Sequence, residues 1–311
     1  MYEGVNPGMK RQLCVESYQL QIFNEGIDPN QDLETININS HGFRGQEVSL
    51  QKPENTFRIF GVGGSTMMGS GSLSDVTTIT GYLQNEFNNL NLQYNVEVIN
   101  AGISGAWSQT EINLIKTKLL KFNPDLFIIY DGWNDLKADH AVGYTKDAWK
   151  LMCTLGEIHD FDVIITLQPI AGFGNKILTQ QETVNSFTGE DHNGYQLITA
   201  KSTYDYIGRE LLSLQDDCNV VDLREIFDDI SGPIYWDQGH VSDTANLILA
   251  EKFHEITNEI IFKKKLNEGK FQKIISKYNS PIITSYLLSK IGIDVDYNQI
   301  KKQEIFPIFT T

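Results

Sequence analysis

Cysteine is nearly absent from this chain of 311 residues: Cys14, Cys153 and Cys218 are all it has. Three thiols, odd in number, far apart and in no CxxC arrangement, predict neither a disulfide framework nor structural zinc, and no other metal or cofactor is expected. No stretch approaches 18 continuous apolar residues, so no membrane-spanning helix is expected. The opening MYEGVNPGMKRQL lacks the apolar run of a signal peptide, and no Asn-x-Ser/Thr sequon occurs. On these absences the chain as it stands reads as soluble and cytoplasmic, with a secreted or membrane-anchored origin left to a chain that has lost a leader. Basic residues are also scarce: 25 Lys and Arg face 40 Asp and Glu, a formal charge of -15. Residues 251–311 hold ten Lys against seven acids, which leaves -18 on the 250 residues before them. A protein that binds a nucleic-acid backbone neutralises phosphates with clustered Lys and Arg, so this balance excludes nucleic acid as the partner of the main domain.

What the chain does have is an alternation. FRIFGVG (57–63), VEVINAG (96–102), DLFIIYDG (125–132), DVIITLQP (162–169) and NVVDL (219–223) are short runs rich in Val, Ile and Phe. Helical patterns fill the intervals, around 76–89, 108–122, 144–160 and 196–215, with another at 242–261. This is the signature of an α/β fold in which a central, mostly parallel sheet is covered by helices on both faces, a three-layer sandwich. The expected division is an N-terminal extension (1–56) packed on the core, a main domain (57–262) with an aperiodic insertion at 171–195, and a basic helical C-terminal extension (263–311). The insertion reads either as a lid or substrate wall or as a plain surface loop. The extension after 263 could support a homo-oligomer, bind an acidic surface or cover the sheet.

In open α/β sheets the functional loops gather beyond the carboxyl ends of the strands. GVGGSTMMGSG (61–71) follows the first strand, but it is no phosphate cradle: no Lys lies between Lys52 and Lys116, and the dinucleotide fingerprint fails because Thr66 stands where a third Gly is needed. The GxSxG elbow fails too, with Met67 two residues after Ser65. What remains is a hydroxyl in a glycine-lined turn. A serine nucleophile needs a base and the base an orienter, and IYWDQGHVSD places Asp237 three residues before His240. Acyl transfer also needs donors where negative charge develops. Asn134 in DGWNDL and Gly105 in NAGISGAWSQ follow the third and second strands, although each could equally be a turn residue or a cap. Asp135 could equally cap or brace its loop or take part in the chemistry. Met67, Trp107 and Trp133 are candidate substrate contacts, with plain core packing as the alternative.

The motif order resembles that of the SGNH/GDSL hydrolases. GVGGSTMMG is similar to their first block, NAGISG to the second, GWND to the third and DQGH to the last, over about Phe57 to Phe253. The resemblance implies a flavodoxin-like SGNH fold, a catalytic triad of Ser65, His240 and Asp237, and an oxyanion hole made by the Ser65 amide, the Gly105 amide and the Asn134 side chain. It implies an esterase acting on a carboxylic ester, with a short-chain or O-acetyl ester of a carbohydrate or small metabolite as the preferred substrate. An acyltransferase using the same triad, and a non-catalytic glycan- or partner-binding domain, are the alternatives. The chain departs from the family pattern at Gly64, where GDSL has Asp. NSHGFRG (39–45) also resembles a segment upstream of the core in longer members, where Arg44 reads as a brace for the N-terminal extension or as an anion contact.

Overall fold

Every residue of β1 (Thr56–Gly63) is buried in the computed structural model, as a strand covered on both faces requires. It pairs in parallel with β2 (Asn95–Asn100) on one side and β3 (Leu126–Asp131) on the other; β4 (Asp162–Leu167) and β5 (Asn219–Asp222) continue the sheet, also in parallel. The order is β2-β1-β3-β4-β5, the 2-1-3-4-5 arrangement of the flavodoxin-like fold. The expected apolar runs form these strands. The structure describes residues 16–23, 26–90, 92, 94–137, 143–186 and 197–267.

The helices in chain order are α1 (Ser65–Met68), α2 (Ile79–Asn88), α3 (Ser108–Thr117), α4 (Trp133–Lys137), α5 (Gly143–His159), α6 (Gln180–Asn185), α7 (Leu197–Leu212) and α8 (Asp243–Asn267). Side chains alternate across a strand, and β1 divides accordingly. Phe57 and Ile59 enter the core beneath α2 and α8, whereas Phe60 and Val62 enter the one beneath α3, α5 and α7. Thr78 caps α2 by accepting the Gly81 amide at 3.0 Å, the satisfaction that a helix start needs.

The N-terminal segment continues the sheet edge. Arg44 bridges Asn100 at the end of β2 and also Ile38, so the backbone after residue 36 lies along an edge that would otherwise be open. Cys153 on α5 and Cys218, just before β5, form a disulfide with their Cα atoms 5.9 Å apart. The expectation of no disulfide is thereby corrected. Their 65-residue separation hid a contact that only the packing of α5 beside β4 and β5 creates. Among the described residues no helix is long and apolar enough to cross a membrane. Most of the basic helical extension expected at 263–311, and residues 187–195 of the insertion, lie outside the described residues.

Candidate active site

β1 ends at Gly63, and Ser65 begins α1 two residues later. The turn is tight: a Cβ on Gly63 would overlap the Tyr130 carbonyl oxygen and crowd Met67. Ser65 is 5% exposed and His240 6%, so the reacting pair sits in a largely dry place. His240 comes from the far end of the chain on a hairpin closed by the Trp236 amide donating to the His240 carbonyl at 2.8 Å and the Ser242 amide to Ile234 at 2.7 Å.

Within that hairpin Asp237 turns back on the base it precedes. One carboxylate oxygen accepts the Gly239 and His240 amides at 2.9 and 2.8 Å, and the other faces His240 Nδ1 at 2.7 Å. A carboxylate at Nδ1 holds the hydrogen there and leaves the Nε2 lone pair outward. His240 Nε2 stands 2.8 Å from Ser65 Oγ. Burial would push the Asp237 carboxyl up, but the His240 ring, its hydrogen bond and the two amides outweigh burial and hold it down at about 2.

The expected oxyanion donors Gly105 and Asn134 come from two further strand ends. Gly105 has φ +80°, a left-handed conformation that costs glycine nothing. Asn134 donates one N–H to the Ala106 carbonyl at 2.6 Å, which ties the third-block amide to the second-block loop. An amide NH2 has two donors, so a second remains for an oxyanion. The departure at Gly64 has a structural counterpart, because a Cβ there would run into Asn134 Nδ2. The asparagine amide fills the space beside Gly64.

The expected substrate contacts separate. Trp107 is half-buried beside Gly105, and Trp133 is buried with its ring next to Gly239. Met67 is 1% exposed and packs in the core beneath α2 and α8. Its side chain is therefore on the core side of α1 rather than lining the site, because the one-turn helix points Ser65 and Met67 in different directions.

Three supporting groups escaped sequence reading or were read only in outline. Arg44, with a side chain only 1% exposed, donates to the carbonyl oxygens of Met68 and Gly69 at 3.1 and 2.8 Å and pairs with Asp75 at 2.7 Å. It braces α1 and binds no substrate anion in this arrangement. Asn100 adds a bond from Nδ2 to the Met67 carbonyl at 3.0 Å. Glu182, in the insertion, accepts the Ile234 and Tyr235 amides at 2.8 and 3.1 Å and pairs with buried Lys176 at 3.0 Å. The described part of the insertion is thus fastened to the base of the His240 hairpin. The Thr179–Glu182 capping-box spacing was visible in sequence; the reach of Glu182 to residues 234 and 235 was not. A cavity of about 600 Å³ lies at the opposite end of the strands, beside Cys153, Asp162 and Cys218, away from Ser65.

No family model matches the chain, and no curated protein matches it either. Solved structures similar to it include an acetyl xylan esterase, AlAXEase, at 17% identity and TM-score 0.48, covering 64% of this chain and 99% of that one. A protein described as G-D-S-L-family lipolytic, from Desulfitobacterium hafniense DCB-2, is 14% identical at TM-score 0.48, covering 64% and 98%. A two-domain esterase, CEX, active on acetylated mannans, is 17% identical at TM-score 0.45, covering 66% of this chain and 50% of that one.

Proposed function

We propose that this chain is a serine esterase that cleaves a short-chain or O-acetyl ester of a carbohydrate or small metabolite through an acyl-enzyme. The carrying observation is the unbroken relay from Asp237 through both nitrogens of His240 to Ser65 Oγ, with contacts of 2.7 and 2.8 Å. His240 Nε2 takes the Ser65 proton as Oγ attacks the ester carbonyl, and the imidazolium that forms is stabilised by Asp237. Charge on the carbonyl oxygen is met by the Ser65 and Gly105 amides and the Asn134 side chain. Collapse expels the alcohol with the proton from His240; water, activated by the same nitrogen, then releases the acid.

Trp107 and Trp133 are chain neighbours of the proposed donors Gly105 and Asn134, while Met67 is withdrawn into the core. The disulfide favours an oxidising compartment over the cytoplasm, since such bonds persist where thiols are not kept reduced. A panel of acetylated sugars and short acyl esters, with Ser65→Ala as blank, tests the reading. Turnover and labelling by a serine-directed fluorophosphonate should both vanish in the blank. Equal labelling of wild type and Ser65→Ala would sink the enzyme reading and favour a binding domain. Product partition toward an added sugar acceptor would instead make it an acyltransferase.

A further inference from the structure

Beneath the Gly105 and Asn134 loops lie three carboxyl groups with no place in the steps above. Glu111 on α3, Asp131 at the end of β3 and Asp135 on α4 are 1%, 0% and 3% exposed. None of the three makes an ion pair among the described residues. Both oxygens of Glu111 and both of Asp131 are sealed from solvent with no hydroxyl or amide donor in good hydrogen-bonding position. Their neighbours are one another, near enough for the charge of Asp135 to act on both Glu111 and Asp131 and that of Glu111 on Asp131. Tyr204 of α7, buried and pushed well above its ordinary value, also faces Asp131.

Asp135 differs from the other two. Its oxygens accept the Ser108 hydroxyl at 2.6 Å, the Thr145 hydroxyl at 2.6 Å and the Ser108 amide at 3.3 Å. Three donors suit an anion. Three adjacent anions without a cation do not suit a buried site, and among the described residues no group of His, Cys, Asp and Glu is arranged to hold a metal ion. Protons resolve the conflict, because a neutral carboxylic acid is itself an O–H donor. Burial first, and then the neighbouring carboxylates, push Glu111 and Asp131 well above the ordinary carboxylate range.

We propose that Glu111 and Asp131 are neutral acids and that Asp135 is the single carboxylate of the group, which positions the two oxyanion loops by gripping Ser108 and Thr145. Ser108 follows Gly105 by three residues and Asp135 directly follows Asn134. One charge therefore fastens both loops to the starts of α3 and α5. The second half of this proposal rests on the esterase reading; the protonation does not.

Infrared difference spectra of the full chain at neutral pH, wild type against Asp131→Asn and Glu111→Gln, test the first half. Each variant should lose a carbonyl stretch of protonated carboxylic acid that shifts in D2O. No such band in wild type, or a band untouched by both substitutions, overturns the protonation. Kinetics on the best ester test the second half. Asp135→Asn should lower kcat by about tenfold or more with little change in KM, whereas Asp131→Asn and Glu111→Gln should cost less than about threefold. Equal losses for Asp131→Asn and Asp135→Asn overturn the positioning role. If Asp135→Asn does not fold, Ser108→Ala and Thr145→Val should show the same selective loss in kcat, and unchanged kcat in both overturns it. A wild type that shows the band yet neither turns over esters nor labels at Ser65 refutes the esterase reading and leaves the carboxyl assignment standing.

Discussion

Two carboxyl groups at the same sheet edge meet opposite fates. Asp237 lies against His240 and two backbone amides, which outweigh the cost of burial and hold it at about 2. Asp131 is fully buried beside Glu111 and Asp135, with no ion-pair partner among the described residues, and is pushed well above its ordinary range. Burial acts on both in the same direction. What differs is the partner: a ring and two N–H donors stabilise the anion, whereas neighbouring acids stabilise the neutral form. One sheet edge can therefore favour the charged form of one Asp and the neutral form of another.

The sharpest way to break this contrast is to neutralise each in turn. Asp237→Asn should lower kcat on a short ester by about 10⁴-fold, since the amide presents the wrong hydrogen-bonding face to His240. A loss of comparable size in Asp131→Asn would erase the contrast. Next in size is Asn134→Ala, expected to cost about 10²- to 10³-fold in kcat through the missing oxyanion donor. Initial rates with saturating ester read both.

The props outside the reacting groups should move stability more than chemistry. Arg44→Met removes a buried cation together with its bonds to Met68 and Gly69, and leaves Asp75 without its partner. Urea unfolding should show a loss of about 3 kcal/mol. Glu182→Ala strands buried Lys176 as well as two hairpin amides, so a loss of similar size is expected there.

The smallest expected effect is also the most direct test of sign. Native Asp131 binds a proton that the unfolded chain releases above about pH 4, so its contribution to stability declines as pH rises. Asp237 is the reverse: its contribution is present above about pH 4 and fades as pH falls toward 2. Denaturant midpoints measured from acid to neutral pH should show Asp131→Asn gaining on wild type as pH rises. The deficit of Asp237→Asn should shrink as pH falls. Parallel curves for the two variants would mean that the two carboxyl groups are in the same protonation state.

The strands were legible because a parallel sheet covered on both faces demands near-continuous apolar runs, and β1 is buried at each of its eight positions. The contact of Asp237, His240 and Ser65 was legible for a different reason. Asp237 and His240 share one short turn, and Ser65 and Asn134 directly follow strands, so topology alone brings them to one edge. Met67 was misplaced because sequence adjacency to Ser65 says nothing about which side of a one-turn helix a residue takes. Glu182 and Arg44 were obscure because their partners, Ile234 and Tyr235 for one and Met68 and Gly69 for the other, lie far along the chain.

Local pattern by itself determined the order of strands and helices, the strand-end loops that carry Ser65, Gly105, Asn134 and the Asp237–His240 turn, and the exclusion of a phosphate cradle at Gly61–Gly71. Tertiary structure alone decided which charges survive. The Cys153–Cys218 bond, the grip of Arg44 on α1 and the grouping of Glu111, Asp131 and Asp135 join distant positions. A carboxyl group's charge is set by what surrounds it in space, and a sequence orders residues only along a line.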